Sequence, residues 1–227
     1  MPKRNYYREH PKFYVAVDCI IFGFDKGSLN LLLLKRNFEP SKGKWSLMGG
    51  FVQKEESVDD AAKRVLKELT GLDNVYMEQV GAFGEINRDP GERVISVAYY
   101  ALINIDSYDR ELVHSHNAFW TDINKLPKLI FDHPEMVDMA RDLMKQKVGH
   151  KPIGFNLLPK LFTLTQLQSL YEAIYGETMD KRNFRKRVME MEFIEMTDEI
   201  DKTGSKRGAR LYRMNDDVYR KTRKFKI

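Results

Sequence analysis

The chain has 227 residues, of which 42% are hydrophobic and 31% are charged, a composition typical of one large or two small globular domains. No apolar run approaches the roughly 20 residues of a membrane-spanning helix, and the basic N-terminus lacks the apolar stretch of a secretory signal. The single cysteine, Cys19, cannot form an internal disulfide. A lone buried thiol is typical of a reducing compartment, so we expect a cytoplasmic protein.

The basic residues are unevenly distributed along the chain. Residues 1–150 carry 21 basic and 22 acidic side chains, whereas residues 151–227 carry 17 basic and 11 acidic ones. The net charge of +5 therefore comes from the last third of the chain. A basic module beside a nearly neutral one indicates an anionic partner, with nucleic acid the first candidate. A basic surface that only contacts solvent explains the charge equally well, so charge alone leaves both interpretations open.

The N-terminal two thirds of the chain show an α/β pattern. Apolar segments at 12–24 and 29–36, separated by a turn, predict a hairpin of two strands. Ser57 stands where it can cap a helix whose apolar residues keep helical spacing as far as Gly71. Later elements are predicted as strands within 75–105, a strand or loop at 118–121, and a helix at 134–147. This order predicts a mixed sheet between helices.

The pattern changes after residue 149, where we expect the boundary between domains 1–149 and 150–227, within a linker at 149–155. Thr163 and Gln166 occupy the capping-box positions of a helix that ends at Gly176. The remaining elements are predicted as a helix capped by Asp180 over 181–192, strands at 193–196 and 209–214, and a charged loop over 197–208. Two short helices with a tight turn, followed by a hairpin, are typical of a winged helix-turn-helix domain.

The stretch from Gly50 to Leu72, GFVQKEESVDDAAKRVLKELTGL, resembles the Nudix signature. The matching residues are Gly50, Glu56, Arg64, Leu66, Glu68, Gly71 and Leu72. The resemblance implies three glutamates that gather Mg²⁺ on one helical turn, but Val65 and Leu69 replace two of them. We therefore expect a Nudix-like domain with no catalytic residue, no metal and no cofactor. A weak metal site rebuilt from Glu55, Glu56 and Glu85 remains an alternative.

A Nudix domain that has lost two of its three metal ligands still keeps the cleft beside the signature loop, and we expect this cleft to bind a small effector. Trp45 is interpreted either as a stacking platform or, more commonly for tryptophan, as part of the core. Arg88 belongs to an Arg-Asp-Pro loop that resembles the matching loop of Nudix-type regulators, or else to a solvated turn. The candidate effector-binding residues are Asp18, Arg36, Lys44, Trp45, Gly49, Gly50, Glu85, Arg88 and Arg93.

The second helix of the predicted winged helix carries a dense array of cations. Phe184, Val188 and Met191 share one face and are expected to pack inward. The other face and the predicted wing give the candidate DNA-binding residues Lys181, Arg182, Asn183, Arg185, Lys186, Arg187, Lys202, Lys206, Arg207 and Arg210. Such side chains suit phosphates and guanine edges in a major groove. A solvated charged helix is the alternative, and the basic tail at 220–226 is left open.

The whole chain resembles the Nudix-related, NrtR-like transcriptional regulators. The segments that carry the resemblance are WSLMGGFV, INRDPGERVISVAYY, FDHPEM and FTLTQLQSLYEAIYGETMDKRNFRKRV. The resemblance implies a homodimer on a palindromic double-stranded DNA operator, and an effector bound by the Nudix domain.

The family has branches that respond to different effectors. We expect a repressor closest to the L-arabinose-responsive AraR branch, which controls pentose use, because the cleft sequence is not strongly basic. The alternatives are an ADP-ribose-sensing regulator of NAD metabolism, a Mg²⁺-dependent Nudix hydrolase with an accessory domain, and a protein-interaction module.

Overall fold

A computed structural model describes residues 7–203, 207–222 and 225. Lys206, one of the predicted DNA-binding residues, and part of the basic tail at 220–226 lie outside the described residues. Within the ranges that are described, no helix is both long enough and apolar enough to cross a membrane.

Seven strands form a mixed sheet: β1 (Tyr14–Asp25), β2 (Ser28–Lys35), β3 (Trp45–Ser46), β4 (Met48–Phe51), β5 (Tyr76–Phe83), β6 (Val94–Asn104) and β7 (Ala118–Asp122). The main path runs β3-β2-β1-β6-β5, while β4 pairs with β1 and β7 pairs with β2. β1 and β6 are parallel neighbours, and the other pairs are antiparallel. The predicted mixed sheet is therefore confirmed.

β1 lies at the centre of the sheet because its side chains are apolar on both faces. Ile20 and Phe22 contribute to one hydrophobic core, whereas Val17, Cys19 and Ile21 contribute to the other. This alternation follows from the two-residue period of a strand. The sheet is thus buried on both sides, and the connecting helices cover it.

Three helices accompany this sheet: α1 (Val58–Thr70), α2 (Arg110–Ser115) and α3 (His133–Val148). The predicted caps of α1 are present, since Ser57 Oγ accepts from the Asp60 N–H at 3.1 Å. Gly71 ends the helix with φ +72°, a left-handed conformation that glycine adopts without strain. The apolar stripe of α1 packs on the core that contains Cys19.

The C-terminal region is a winged helix with helices α4 (Leu164–Tyr175), α5 (Lys181–Met189) and α6 (Asp216–Thr222) and strands β8 (Phe162–Thr163), β9 (Ile194–Asp201) and β10 (Ala209–Met214). The predicted capping box of α4 forms, because Thr163 and Gln166 exchange hydrogen bonds. Asp180 accepts from the Asn183 N–H at 2.8 Å and caps α5 as predicted. β9 extends to Asp201, so the loop of the wing is shorter than the predicted 197–208.

The segment predicted as a linker at 149–155 is instead part of the core. A 3-10 helix over Pro152–Leu157 buries Ile153 and Leu157 against the Nudix-like sheet and the winged helix. Tyr171 Oη of α4 donates to the Val148 carbonyl at 3.4 Å across the same boundary. One continuous hydrophobic core therefore joins the sheet to the winged helix, while the division into 1–149 and 150–227 stays a prediction.

Candidate effector cavity and DNA-binding surface

A cavity of about 370 Å³ opens beside β1 and β4. It is lined by the ends of these strands, the loop after β2, the loop before β6 and the residues before α3. Five of the predicted effector-binding residues meet at this cavity: Asp18, Arg36, Gly49, Gly50 and Arg88. The volume lies within the range that small-molecule sites usually have.

The deep end of the cavity holds a buried network of charges. Arg88 donates two hydrogen bonds to Asp132, from Nε to Oδ2 and from Nη2 to Oδ1, both at 2.7 Å. Asp18 Oδ2 accepts from Ser96 Oγ at 2.6 Å and lies 3.6 Å from Arg88 Nη2. Only 3% of the Arg88 side chain is exposed. A bidentate pair of this kind fixes the loop before β6 against the first turn of α3.

His133 completes this network and is neutral at pH 7. Its Nδ1 accepts from the Leu47 N–H at 3.0 Å, so the proton resides on Nε2, which lies 3.7 Å from Asp18 Oδ1. Burial lowers the pKa of His133 below its ordinary value, and this outweighs the opposing effect of Asp18 and Asp132. Arg88 and Arg36 lower it further.

The lowered pKa of His133 predicts a pH dependence of stability. The unfolded histidine titrates near 6.5, above its folded pKa, so the contribution to stability is fully present above that pH and is lost as the pH falls below it. We expect the free energy of unfolding to drop between about pH 7.5 and about pH 5.5 in the wild type, and to drop less in His133→Asn. Urea unfolding at both pH values measures this.

The exposed His150 provides a matched control for this prediction. His150→Asn should keep the wild-type pH dependence, because this exposed substitution leaves the buried His133 and its partners unchanged. If His133→Asn lost as much stability as the wild type between the two pH values, the interpretation of His133 as a neutral, buried side chain would be wrong.

Arg36 leaves part of its guanidinium available to the cavity, whereas Arg88 is engaged with Asp132. Its Nε donates to the Pro40 carbonyl at 2.8 Å, and its guanidinium lies 4.1 Å from the centroid of the Phe38 ring. Among the described residues, its two Nη groups donate no hydrogen bond. A part-buried guanidinium with free donors on a cavity wall suits an anionic group such as a phosphate.

Gly49 and Gly50 are required by close packing beneath the cavity. A Cβ atom on Gly49 would lie 2.8 Å from the Val17 carbonyl oxygen and 2.5 Å from Asp18 Oδ1. On Gly50 it would lie 2.9 Å from Val65 Cγ2. Both glycines therefore let β4 approach β1 and α1, whatever ligand the cavity takes.

The remaining four predicted effector residues do not line the cavity. Lys44 is exposed, and Trp45 packs its ring at 5.7 Å from Phe119, which matches the alternative interpretation of Trp45 as a core residue. Glu85 and Arg93 contact each other, since the backbone carbonyl of Glu85 accepts a hydrogen bond from Arg93 Nη1 at 3.0 Å. A role of these residues in effector binding stays a prediction. Sequence reasoning missed the cavity residues His133, Phe38 and Phe131, and also Asp132, which binds Arg88.

The charged residues that are retained from the Nudix signature, Glu56, Arg64 and Glu68, form ion pairs with one another. Arg64 donates to both carboxylate oxygens of Glu56 at 2.8 and 2.9 Å and lies 3.3 Å from Glu68. The hydrogen bond from Arg64 lowers the pKa of Glu56 to about 2. Val65 and Leu69 are 7% and 6% exposed and belong to the core.

These residues do not fit a Nudix magnesium site. Mg²⁺ needs several carboxylate or water oxygens in octahedral geometry, and two of the expected ligand positions are apolar. Glu55 and Glu85 are exposed and do not join Glu56 in a cluster. Across the described ranges, no group of three histidine, cysteine, aspartate or glutamate side chains is placed to hold a metal ion.

The winged helix presents the predicted cations on α5. Phe184, Val188 and Met191 are buried, as predicted, and leave Lys181, Arg182, Asn183, Lys186 and Arg187 exposed. Arg185 is half-buried, and its Nη2 donates to Thr165 Oγ1 of α4 at 3.4 Å. Arg185 therefore contacts its own domain as well as facing outward.

The wing mixes both charges. Lys202 and Arg207 are exposed, and Arg210 donates to the Thr197 carbonyl at 3.2 Å. The strand β9 also carries the acidic residues Asp198 and Glu199. The exposed face of α5 is thus more uniformly positive than the described part of the wing, and DNA contact by each of these residues stays a prediction.

Comparison with known proteins identifies both halves of the chain. A NUDIX domain model matches residues 12–143, and an NrtR DNA-binding winged helix domain model matches residues 154–214. The chain is 38% identical over 209 residues to the ADPR responsive transcriptional repressor NtrR of Acinetobacter baylyi, covering 90% of this chain and 83% of that protein. It is also 38% identical over 143 residues to the ADP-ribose pyrophosphatase of Methanocaldococcus jannaschii, covering 62% of this chain and 77% of that enzyme.

A solved structure extends this similarity to the whole fold. NrtR of Shewanella oneidensis in complex with a 27mer DNA has a TM-score of 0.79 and 28% sequence identity, and the match covers 90% of this chain and 94% of that chain. These relatives lend no support to the expected arabinose-responsive branch. The chain belongs to the NrtR-like family of DNA-binding transcriptional regulators, in which a NUDIX domain precedes an NrtR winged helix domain.

Proposed function

We propose that the protein is a transcriptional repressor whose Nudix domain binds ADP-ribose and thereby controls binding of the winged helix to DNA. The observation that carries this proposal is the 38% identity, over nearly the whole chain, to an ADPR responsive transcriptional repressor. ADP-ribose replaces L-arabinose as the proposed effector. The preference for a neutral sugar followed from a cleft sequence that is not strongly basic and from the loss of two metal-site carboxylates, and the similarity to an ADPR responsive repressor outweighs both.

The cavity provides the chemistry that such an effector needs. Arg36 has free guanidinium donors for a diphosphate, while the carboxylate of Asp18 is an acceptor for ribose hydroxyl groups. Arg88 is committed to Asp132 and orders the cavity wall. An arginine in place of a metal ion compensates diphosphate charge without activating water, which suits a sensor better than a hydrolase.

A Mg²⁺-dependent ADP-ribose pyrophosphatase is the second candidate, since the Nudix part shares 38% identity with such an enzyme. The apolar Val65 and Leu69 favour the sensor. We therefore expect ADP-ribose to remain intact when it is incubated with the protein and Mg²⁺, as followed by phosphorus NMR. Release of AMP and ribose 5-phosphate in proportion to enzyme concentration would favour the hydrolase.

We assign DNA binding to the exposed face of α5. The simplest arrangement is a cytoplasmic homodimer in which the α5 helix of each subunit contacts one half of a palindromic operator. The continuous core through Ile153, Leu157 and Tyr171 gives a packed connection between the effector domain and the winged helix.

Fluorescence anisotropy of labelled DNA from the promoter regions of its own and neighbouring genes tests the function. We expect salt-sensitive binding that ADP-ribose weakens and that L-arabinose leaves unchanged. Binding that no concentration of ADP-ribose alters would refute the proposed effector.

A further inference from the structure

Helix α3 connects the effector cavity with the winged helix. Asp132, just before its first turn, binds Arg88, and His133 in that turn lines the cavity. At the other end of α3, the carbonyl of Val148 accepts a hydrogen bond from Tyr171 Oη of α4 at 3.4 Å. The helix has 16 residues, which corresponds to a length of about 24 Å. Because an α-helix is a rigid element over this length, a displacement of its first turn reaches its last turn.

A cluster of four polar side chains holds the last turn of α3 on the sheet. Lys147 Nζ forms an ion pair with Glu78 Oε1 of β5. The hydroxyl groups of Tyr76 and Tyr100 donate to Glu78 Oε2 at 2.8 and 2.9 Å, and the Tyr100 side chain is fully buried. The tyrosines therefore fix the carboxylate to which Lys147 binds. Only 30% of the Lys147 side chain and 31% of the Glu78 side chain are exposed, so solvent screens this pair less than a surface pair.

The same turn of α3 carries the connection to the winged helix. The Lys147 carbonyl accepts from the N–H groups of His150 and Lys151 at 3.0 and 2.8 Å, which closes the turn into the following 3-10 helix. A Cβ atom on Gly149 would lie 2.9 Å from Tyr175 Oη, so α4 approaches this turn closely. The side chain of Lys147 thus binds the Nudix sheet, while its backbone orders the chain that enters the winged helix.

We propose that the ion pair of Lys147 and Glu78 is the pivot through which binding of the effector changes the position of the winged helix. This inference rests on the proposed function and adds the contact that connects effector binding with DNA binding. With the pair intact, a displacement of α3 at the cavity rotates the connection to α4, because the last turn stays bound to the carboxylate. Without the pair, the last turn slides on the sheet, and the displacement is lost before it reaches the winged helix.

Neither residue belongs to the binding sites themselves. Lys147 and Glu78 do not line the effector cavity, and neither lies on α5. Both are therefore positioning residues. Their loss should change the coupling between ADP-ribose and DNA, while it leaves the affinity for ADP-ribose close to that of the wild type. A purely structural ion pair would change only the free energy of unfolding.

Fluorescence anisotropy of promoter DNA with and without saturating ADP-ribose measures the coupling on the full chain. The ratio of the two dissociation constants should be about 5- to 150-fold for the wild type and below about 3-fold for Lys147→Met. Glu78→Gln keeps an acceptor for the two tyrosine hydroxyl groups and should lower the ratio in the same way, because it removes only the charge. Lys147→Arg keeps the ion pair and should retain most of the ratio.

Lys145→Met is the matched control on the same helix. Lys145 forms no ion pair within the part of the chain that the structure describes, so this substitution removes an equal charge and should keep the wild-type ratio. Isothermal titration calorimetry with ADP-ribose should give dissociation constants within about 2-fold of the wild type for all four variants.

The outcomes separate the pivot from the proposed function. A wild-type ratio in both Lys147→Met and Glu78→Gln would overturn the pivot and leave the effector in place. A lower ratio that is accompanied by an equal loss of affinity for ADP-ribose would also overturn it, because the substitutions would then act on the cavity. If ADP-ribose did not change DNA binding of the wild type, the proposed function would be wrong, and the pivot with it.

Discussion

Replacement of Arg88 by methionine is expected to lower the free energy of unfolding by about 3–5 kcal/mol. The substitution keeps most of the side-chain volume but leaves the carboxylate of Asp132 without its bidentate partner. Asp18, which lies 3.6 Å from Arg88, also loses a compensating charge. Because these groups are mostly buried, water replaces the lost hydrogen bonds poorly. Urea unfolding followed by circular dichroism measures the change.

Arg110 provides the matched control for this prediction. Its ion pair with Asp106 is exposed, with 74% of the Arg110 side chain accessible, so Arg110→Met should change the stability by less than about 1 kcal/mol. Similar small losses in both variants would contradict a structural role for the buried network.

The double substitution Arg182→Ala and Lys186→Ala is expected to weaken DNA binding by about 2–6 kcal/mol, that is, about 1–3 kcal/mol for each side chain. The two residues are four positions apart on α5, so they lie on the same face of the helix, and both are exposed. Each phosphate contact that is lost should also reduce the slope of log K against log salt by about one. Anisotropy titrations at several salt concentrations measure both quantities.

Lys63, on the exposed surface of α1, is the matched control for charge. Lys63→Ala removes a positive charge from the Nudix domain and should leave both the affinity and the salt slope close to wild type. If the double variant on α5 retained wild-type affinity, the DNA-binding surface would have to lie elsewhere on the molecule.

The secondary structure was predictable where its determinants are local. The caps at Ser57 and Thr163 and the stop at Gly176 lie within a few residues of the backbone groups that they affect, so α1 and α4 could be located from the sequence. The segment at 149–155 contains Pro152 and Gly154, which are typical of loops. Its burial depends on packing against β1 and β6, which lie far away in the sequence, and local composition does not encode this packing.

The candidate site was only partly predictable for the same reason. Asp18 and Arg88 could be proposed from a strand pattern and a loop, but their partner Asp132 joins them through the pairing of distant elements. The FDHPEM segment, which contains Asp132 and His133, resembles the matching segment of the family, but the segment alone does not reveal which side chains it meets. Asp132 immediately precedes α3, yet its side chain makes no capping hydrogen bond because Arg88 occupies the carboxylate.

We propose that ADP-ribose, without being hydrolysed, releases this protein from DNA. The most direct test is an anisotropy titration of the operator complex with ADP-ribose, followed by chromatography of the nucleotide in the same sample. We predict a saturable loss of DNA binding, no effect of L-arabinose, and ADP-ribose recovered intact with or without Mg²⁺. DNA binding that persists at saturating ADP-ribose, or release that occurs only as AMP accumulates, would contradict it.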